Sequence, residues 1–257
     1  MQVLRRLLEI VDGGDIAVLA TVVAVTGSAP RRPGARMLLS SGGAREGTVG
    51  GGEVEAAALA AAEEMLAGGK PGRVFELPIH CGGKVTLMLE KFAPPQRVLV
   101  VGAGHVGAAV AAVAAQAGYL VTVASPSGGE ELRGIPGIEP ARASGPEFLA
   151  QCEHPNVTHV IVATGNGDVD GAWAVAALLS SFATVGVIGS RTKAAAIRQA
   201  ASSAGVPEAR MRVFRCPVGL DLGAVTPEEI AVSIVAELVK LDRTGEVPEG
   251  WRRTSQA

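Results

Sequence analysis

Residues 97–107 read RVLVVGAGHVG. Residues 97–101 are predicted to form a strand, in which Arg97 is followed by four apolar residues, a run typical of a strand buried on both faces of a parallel sheet. A GxGxxG pattern follows directly, and a helix is predicted over 106–117. Glycines at this spacing allow a tight turn and close approach of the backbone to a ligand, and the helix N-terminus offers free N–H groups. The pattern favours a site for a nucleotide or another anionic ligand, although a tight turn without a ligand remains an alternative.

Beyond this motif, apolar strands alternate with helices. Such alternation is typical of a doubly wound α/β domain. We therefore place a Rossmann-like nucleotide-binding domain at residues 97–242. Its predicted strands are 97–101, 120–124, 159–163 and 184–188, and its predicted helices are 106–117, 168–180, 192–204 and 226–240.

The preceding part of the chain lacks that alternation. Residues 1–92 are predicted to form a mixed α+β domain, 93–96 a stiff proline-containing linker, and 243–257 a polar, frayed tail. The fold class is therefore α/β, with a mixed N-terminal domain followed by a Rossmann-like doubly wound parallel sheet. The predicted N-terminal elements are helices 1–13 and 53–66 and strands 16–26, 36–40, 46–49, 73–77 and 84–92.

The composition argues against several function classes. The formal net charge is −2 and aromatic residues make up 3%, which disfavours binding to nucleic acid or to an anionic membrane. Three widely spaced cysteines without a CxxC pair argue against a disulfide framework and a cysteine-based zinc site. No apolar run approaches the roughly 20 residues of a membrane span. The start MQVLRRLLEI does not resemble a signal peptide, so we expect a cytoplasmic protein.

The dinucleotide fingerprint is incomplete after the second strand of the Rossmann-like domain. An acidic residue usually follows the glycines by about twenty residues and binds the ribose hydroxyls. Ser125 stands there instead, which makes ordinary NAD binding less secure. A serine would tolerate a 2′-phosphate, but no arginine is adjacent, and the nearest candidate, Arg133, lies in a predicted loop. Whether NAD(P) binds therefore stays open.

A second glycine-rich stretch, Gly50-Gly51-Gly52, leads into a predicted helix and is a candidate anion cradle. Glu53 and Glu55 follow in the first turn. Glu53 either contacts a donor-rich ligand edge, such as that of a pterin, or only complements the helix dipole. For Glu55, capping of the helix is the favoured interpretation.

Two further N-terminal loops carry candidate residues. Residues 27–34, GSAPRRPG, combine the hydroxyl of Ser28 with the guanidinium of Arg31, which can bind phosphate in a bidentate manner. The alternative is a solvated loop with ordinary surface arginines. Cys81 precedes two glycines and is either a nucleophile, sulfur carrier or molybdenum ligand, or a small buried apolar residue.

The C-terminal domain adds four candidates beside its glycines Gly102, Gly104 and Gly107. Ser190 and Arg191 open a helix directly after a strand, where they would either bind phosphate or cap the helix. Asp221 lies in a glycine-rich loop before the last helix. His105 is the obvious general acid or base near the glycine-rich turn.

In this order the motifs resemble the XdhC/CoxI family, over about residues 16–240. The quoted matches are GSAPRRPGARM (27–37), GTVGGGEVE (47–55), CGGKVTLMLE (81–90), VLVVGAGHVG (98–107), THVIVAT (158–164), VGVIGSRTK (185–193) and PVGLDLGAVTPEEIAVSIVAEL (217–238). Three departures stand out: Glu53 replaces a usual cysteine, Ser125-Pro126-Ser127 replaces Asp-x-Arg, and Thr164-Gly165-Asn166 replaces Thr-His-Asp.

The resemblance implies an accessory protein that binds molybdenum cofactor (a molybdopterin), supports its sulfuration with a cysteine desulfurase, and loads it into a molybdenum hydroxylase such as xanthine dehydrogenase. We also expect a homodimer. Carried over residue by residue, the implied site positions are Ser28, Arg31, Gly50–Gly52, Cys81, Gly102, Gly104, His105, Gly107, Ser190, Arg191 and Asp221.

Three functions remain in competition. A cofactor chaperone would bind a phosphorylated pterin tightly and without turnover. An NAD(P)-dependent oxidoreductase would bind nicotinamide at residues 102–107 and act on a small molecule, yet no catalytic Lys-Tyr or His-Asp pair is evident. A regulatory nucleotide sensor would bind nucleotide but neither pterin nor a hydroxylase.

Overall fold

The computed structural model describes residues 1–27, 31–68, 70–79, 82–247 and 251. The chain divides into two compact units, Met1–Pro94 and Pro95–Ala257, which are described separately. Among the described residues, no helix is both long and apolar enough to cross a membrane.

The first unit is an antiparallel sheet with a helix on each face. Its elements are α1 (Gln2–Asp12), β1 (Ala17–Thr26), β2 (Arg36–Ser40), β3 (Arg45–Gly47), α2 (Gly52–Leu66), β4 (Gly72–Pro78) and β5 (Lys84–Phe92). The strand order is β3-β2-β1-β5-β4. Because side chains alternate along a strand, Val18 and Ala20 of β1 pack with α2, whereas Ala17 and Leu19 pack with α1.

The connections that carry the three N-terminal motifs begin at the same end of the strands. Thr26 at the end of β1 pairs with Lys84 at the start of β5, and Pro78 at the end of β4 pairs with that same lysine. Gly47 at the end of β3 pairs with Met37 near the start of β2. The β1–β2, β3–α2 and β4–β5 connections therefore all emerge on the same side, although they are far apart in sequence.

The second unit is a parallel sheet with the strand order β11-β10-β9-β6-β7-β8. This is the order of two linked mononucleotide-binding halves, so the predicted Rossmann-like doubly wound fold is confirmed. Its elements are β6 (Arg97–Val101), α3 (His105–Gln116), β7 (Leu120–Ser125), β8 (Ile138–Arg142), β9 (Thr158–Val162), α4 (Gly167–Leu179), β10 (Thr184–Val187), α5 (Arg191–Ser203), α6 (Glu208–Met211), β11 (Phe214–Arg215) and α7 (Pro227–Thr244).

The apolar strand β6 lies at the centre of this sheet and is buried on both faces. Val98 and Val100 pack with residues of α3 and α7, whereas Leu99 and Val101 pack with residues of α4 and α5. A strand covered on both sides needs no polar face, which explains the continuous apolar run that opens the glycine-rich motif.

Two strands and several short helices were not anticipated from the sequence. β8 contains Pro140, which argues against a central strand; β8 is an edge strand, where a missing N–H group is tolerated. β11 is only two residues long. The connections on either side of β8 contain short 3₁₀ helices, Glu130–Leu132, Pro146–Gln151 and Pro155–Val157.

Helix α7 begins as predicted and ends later. Thr226 accepts a hydrogen bond from the Glu229 N–H, and the Glu229 carboxylate accepts from the Thr226 N–H, which together form a capping box. The helix ends at Gly245 (φ 74°), and Val247 is buried. The first residues assigned to a frayed tail therefore belong to the folded unit.

A network of hydrogen bonds connects α7 to the amino ends of the central strands. His159 Nδ1 lies 2.8 Å from Thr184 Oγ1, and His159 Nε2 lies 3.0 Å from Asp242 Oδ1. The Tyr119 hydroxyl donates to the other oxygen of Asp242. Burial, together with the hydrogen bond to this carboxylate, raises the pKa of Tyr119 well above its usual range.

This pKa shift predicts an alkaline loss of stability. Because the pKa is raised in the folded state, the stabilisation is present below the unfolded pKa of about 10 and is lost as the pH rises above it. Tyr119 is the single tyrosine of the chain, so tyrosinate absorbance reports this hydroxyl alone. We expect that absorbance to appear only together with unfolding, and Tyr119→Phe to lose less stability at alkaline pH. Titration near pH 10 in the folded protein would contradict this expectation.

Candidate functional site

A cleft of about 490 Å³ opens at the carboxyl ends of β6, β7, β8 and β9. Its wall includes residues 102–104 and 125–127, Thr164, Asn166 and the buried Trp173. Since β6 and β9 are neighbours from which the chain winds in opposite directions, the cleft lies at the switch point where open α/β sheets bind ligands. Its volume falls within the range of about 300–1,000 Å³ common for small-molecule sites.

The three glycines of the GxGxxG motif differ in the space around them. Gly102 has φ 108°, and a Cβ atom there would lie 2.6 Å from the carbonyl oxygen of Ala163. A Cβ atom at Gly107 would overlap the carbonyl oxygen of Gly102. Gly104, in contrast, has an ordinary φ of −67°, and nothing lies within 4 Å of the position that a Cβ atom would take. Gly102 and Gly107 are therefore required by the protein's own packing, whereas Gly104 leaves open space at the cleft.

Electrostatics at the cleft favour an anion. Helix α3 begins directly after Gly104, which has no side chain to cap the first N–H groups of the helix. Helix α4 is capped: Asn166 Oδ1 accepts from the N–H groups of Asp168 and Val169 at 3.0 and 3.3 Å. Of the described residues that line the cleft, none is acidic. The α3 N-terminus is therefore available to a negatively charged ligand group.

The loop after β7 corrects one expectation from the sequence. Ser125 does line the cleft, with its hydroxyl 3.1 Å from that of Ser127. Arg133 is exposed and paired with Glu130. A different arginine is adjacent: Arg142, at the end of β8, is the register partner of Ser125. Because β8 was not predicted, sequence reasoning missed this arginine, and only the pairing of β7 with β8 identifies it.

A buried ion pair supports the cleft wall and was also missed. Asp170 is fully buried; its Oδ1 accepts from the Thr164 hydroxyl at 2.6 Å and the Thr164 N–H at 3.2 Å. Its Oδ2 lies 2.6 Å from Lys193 Nζ, which also donates to the Ile188 carbonyl oxygen. Asp170 looks like an ordinary first-turn acid in the sequence. In the fold it holds Thr164 in place at the cleft.

In the β3–α2 connection of the first unit, the three glycines at 50–52 all have positive φ (145°, 74° and 56°). The Gly50 N–H donates to Thr48 Oγ1 at 3.3 Å, and the Gly51 N–H donates to Glu55 Oε1 at 3.1 Å. The capping role favoured for Glu55 is confirmed. An anion bound by these two N–H groups would have to displace Thr48 and Glu55.

Two other candidates of the first unit, Glu53 and Arg31, lie at the same end of the strands. Glu53 is exposed on the first turn of α2, and Arg31 is exposed in the β1–β2 connection. A Cβ atom at Gly27 would lie 3.0 Å from the Cα atom of Gly83, so this connection starts beside the one that leads into β5. Two predicted site residues, Ser28 and Cys81, lie outside the described residues.

Five predicted residues of the second unit are not among the described residues that line the cleft. One is Gly107, which serves packing against Gly102; the other four are polar. His105 is exposed as the first residue of α3, and Arg191 is exposed at the start of α5. Ser190 caps α5 by accepting the N–H of Lys193 at 3.2 Å. Asp221 is exposed, and its N–H donates to a backbone carbonyl oxygen.

The described cysteines are not prepared for thiolate chemistry. Burial raises the pKa of Cys216 to about 11, although nearby Lys193 opposes this shift, and burial also raises the pKa of Cys152. Both thiols are therefore protonated at neutral pH. Within the described ranges, no group of His, Cys, Asp or Glu residues is arranged to hold a metal ion.

Comparison with known proteins gives matches over most of the chain. Residues 98–238 match the family profile of the XdhC Rossmann domain, and residues 10–77 match that of the XdhC and CoxI family. The first match contains the quoted motifs from 98–107 to 217–238, and the second contains those at 27–37 and 47–55.

Two curated proteins of Escherichia coli (strain K12) are similar to the chain. The uncharacterized protein YqeB is 30% identical over 239 residues, which is 87% of this chain and 43% of YqeB. The molybdenum cofactor insertion chaperone PaoD is 37% identical over 107 residues, which is 38% of this chain and 34% of PaoD. The chain thus spans less than half the length of these relatives.

A crystal structure of a xanthine dehydrogenase from Bacillus halodurans is also similar, with a TM-score of 0.51. The match covers 95% of this chain and 98% of that chain, at 20% sequence identity. A likeness at this level of identity concerns the fold.

Proposed function

The chain belongs to the XdhC and CoxI family, and from this membership we propose that it is an accessory protein that binds molybdenum cofactor. In this role it supports the sulfuration of the cofactor and its insertion into a molybdenum hydroxylase of the xanthine dehydrogenase type. The similarity to the insertion chaperone PaoD supports this proposal.

The observation that carries the proposal is the open space at Gly104 beside the uncapped N-terminus of α3. The cofactor is cargo in this account, and its phosphate is the group that free helix N–H groups would hold. The described cleft residues include no acid that would repel it. Hydroxyl groups of Ser125 and Thr164 and the amide of Asn166 offer hydrogen bonds to the remaining polar edge.

A second candidate is an NAD(P)-dependent oxidoreductase, favoured by the strand order and the glycine-rich turn. Its proposed general acid or base, His105, is exposed and is not among the described cleft-lining residues. The sequence also lacks an evident catalytic Lys-Tyr or His-Asp pair. These two features make the chaperone the better proposal.

The proposal includes partners. We expect contacts with an apo-hydroxylase that receives the cofactor and with a cysteine desulfurase that supplies sulfur. A homodimer in the cytoplasm is part of the same proposal. All of these follow from the family resemblance.

The role of Cys81 gives a direct test of the function. If Cys81 takes part in sulfur transfer or protects the bound cofactor, Cys81→Ser should bind molybdenum cofactor normally but lose activation of the apo-hydroxylase by about 10-fold or more, as is usual when a reacting group is removed. The measurement is recovery of hydroxylase activity from apo-enzyme, molybdenum cofactor, desulfurase and this protein. Cys216→Ser is the matched control, since its half-buried thiol has a raised pKa. Equal activation by both variants would remove Cys81 from the mechanism, and no activation by the wild type would refute the chaperone proposal.

A further inference from the structure

The end of the cleft that faces β7 and β8 differs from a site for unphosphorylated ribose. A carboxylate at the end of the second strand normally accepts hydrogen bonds from both ribose hydroxyls. Here Ser125 occupies that position, and its hydroxyl lies 3.1 Å from the hydroxyl of Ser127. Both serines line the cleft. Two neutral hydroxyls present donors to an anion where a carboxylate would repel it.

A cation accompanies these hydroxyls. Arg142 is aligned with Ser125 across the β7–β8 pair. Its guanidinium donates to the carbonyl oxygen of Pro126 at 3.2 Å and to that of Ser127 at 3.4 Å. These bonds hold the planar group against the loop that forms the cleft wall. A guanidinium has five N–H donors, so most of its donors remain after these two contacts.

Arg142 is bracketed by residues of the cleft. Pro126 and Ser127, to which it is bonded, line the cleft, and so do Ala143 and Ser144, which follow it in the chain. The guanidinium is exposed, so a bound phosphate can reach it without a rearrangement of the core. An arginine at this end of a Rossmann cleft is the group that accommodates a 2′-phosphate.

We propose that Ser125, Ser127 and Arg142 form a subsite for a phosphate ester, and that the cleft therefore prefers a 2′-phosphorylated adenine dinucleotide, of the NADP(H) type, over its NAD(H) counterpart. This goes beyond the proposed chaperone function. The subsite lies at one end of the cleft and does not depend on which cargo the cleft carries.

The test is calorimetric titration of the full chain with NADPH, NADH, 2′,5′-ADP and inorganic phosphate. Hydrogen bonds to a charged group predict that NADPH binds about 10- to 100-fold more tightly than NADH. Binding of 2′,5′-ADP is also expected. Equal affinity for NADPH and NADH would overturn the proposal, as would the absence of binding by NADPH and 2′,5′-ADP. Inorganic phosphate that binds as tightly as 2′,5′-ADP would reduce the subsite to a general anion site and would also overturn it.

Substitutions separate this subsite from a general effect on the fold. Arg142→Gln should remove the preference for NADPH while leaving the affinity for NADH unchanged, and Ser125→Asp should reverse the preference. Arg133→Gln is the matched control, because that arginine is exposed and pairs with Glu130 on the surface. An Arg142→Gln protein that keeps the wild-type preference would contradict the proposal. Retention of molybdenum cofactor is measured in a separate experiment, so either idea can fail while the other stands.

Discussion

Gly104→Val is expected to weaken the binding of molybdenum cofactor by about 100-fold. In the proposed complex, the ligand phosphate accepts several charge-assisted hydrogen bonds from N–H groups of α3, and the new side chain would prevent them. The physical reason is the space that Gly104 leaves open. Its φ of −67° and ψ of 177° suit any residue, and nothing lies within 4 Å of the position of a Cβ atom. A side chain there costs the protein little but occupies the approach to α3. The expected thermal midpoint is that of the wild type.

Gly107→Ala is the matched comparison for this prediction. A Cβ atom at Gly107 would overlap the carbonyl oxygen of Gly102, so the helix must shift away from the strand. Overpacking of this kind costs about 1–3 kcal/mol, and the variant should unfold at a lower temperature. Binding and thermal midpoints of both variants are measured together. If Gly104→Val lowers the thermal midpoint while its folded fraction binds molybdenum cofactor normally, Gly104 is required for packing and not for access of the ligand.

Glu237→Ala is expected to destabilise the second unit by about 3–5 kcal/mol, the cost of breaking a buried ion pair. Glu237 lies on α7 and is almost completely buried. Its Oε1 lies 3.2 Å from Arg215 Nε, and its Oε2 accepts the Gly219 N–H at 2.8 Å. The substitution would leave Arg215, whose Nε atom is buried, without this carboxylate and the Gly219 N–H without its acceptor. Such a loss is a large part of a typical total stability of about 5–15 kcal/mol.

A double substitution distinguishes the ion pair from simple loss of packing. Replacing both partners by apolar residues, as in Arg215→Leu with Glu237→Leu, should recover part of the stability, because no buried charge is left alone. The control is Glu246→Gln on the exposed surface. The free energy of unfolding comes from denaturant titrations. A cost below about 1 kcal/mol for Glu237→Ala, the upper end for an exposed ion pair, would mean that the pair is not buried as described.

The sequence predicts the centre of the fold better than its margins. The strand β6 and the glycine-rich turn were predictable because a long apolar run, a GxGxxG spacing and a helix occur together. β8 was not, because Pro140 argues against a strand and only its edge position makes the proline harmless. The two-residue strand β11 is too short to leave a pattern.

The candidate site shows the same division. The glycine-rich turn and Ser125 were identified from spacing alone, and both line the cleft. Arg142 reaches the site only through the pairing of β7 with β8, which no local pattern encodes. Asp170 looks like a helix-start acid, and its burial depends on a lysine 23 residues later in the chain. Contacts of this kind are set by the tertiary fold.

The most direct test of the central claim is gel filtration of the full chain with isolated molybdenum cofactor, with molybdenum quantified in the protein peak. The account predicts near-stoichiometric molybdenum with the wild type and a strongly reduced amount with Gly104→Val at an unchanged thermal midpoint. An absence of molybdenum from the wild-type peak, while NADPH or NADH binds in a parallel sample, would contradict the chaperone function and favour the oxidoreductase.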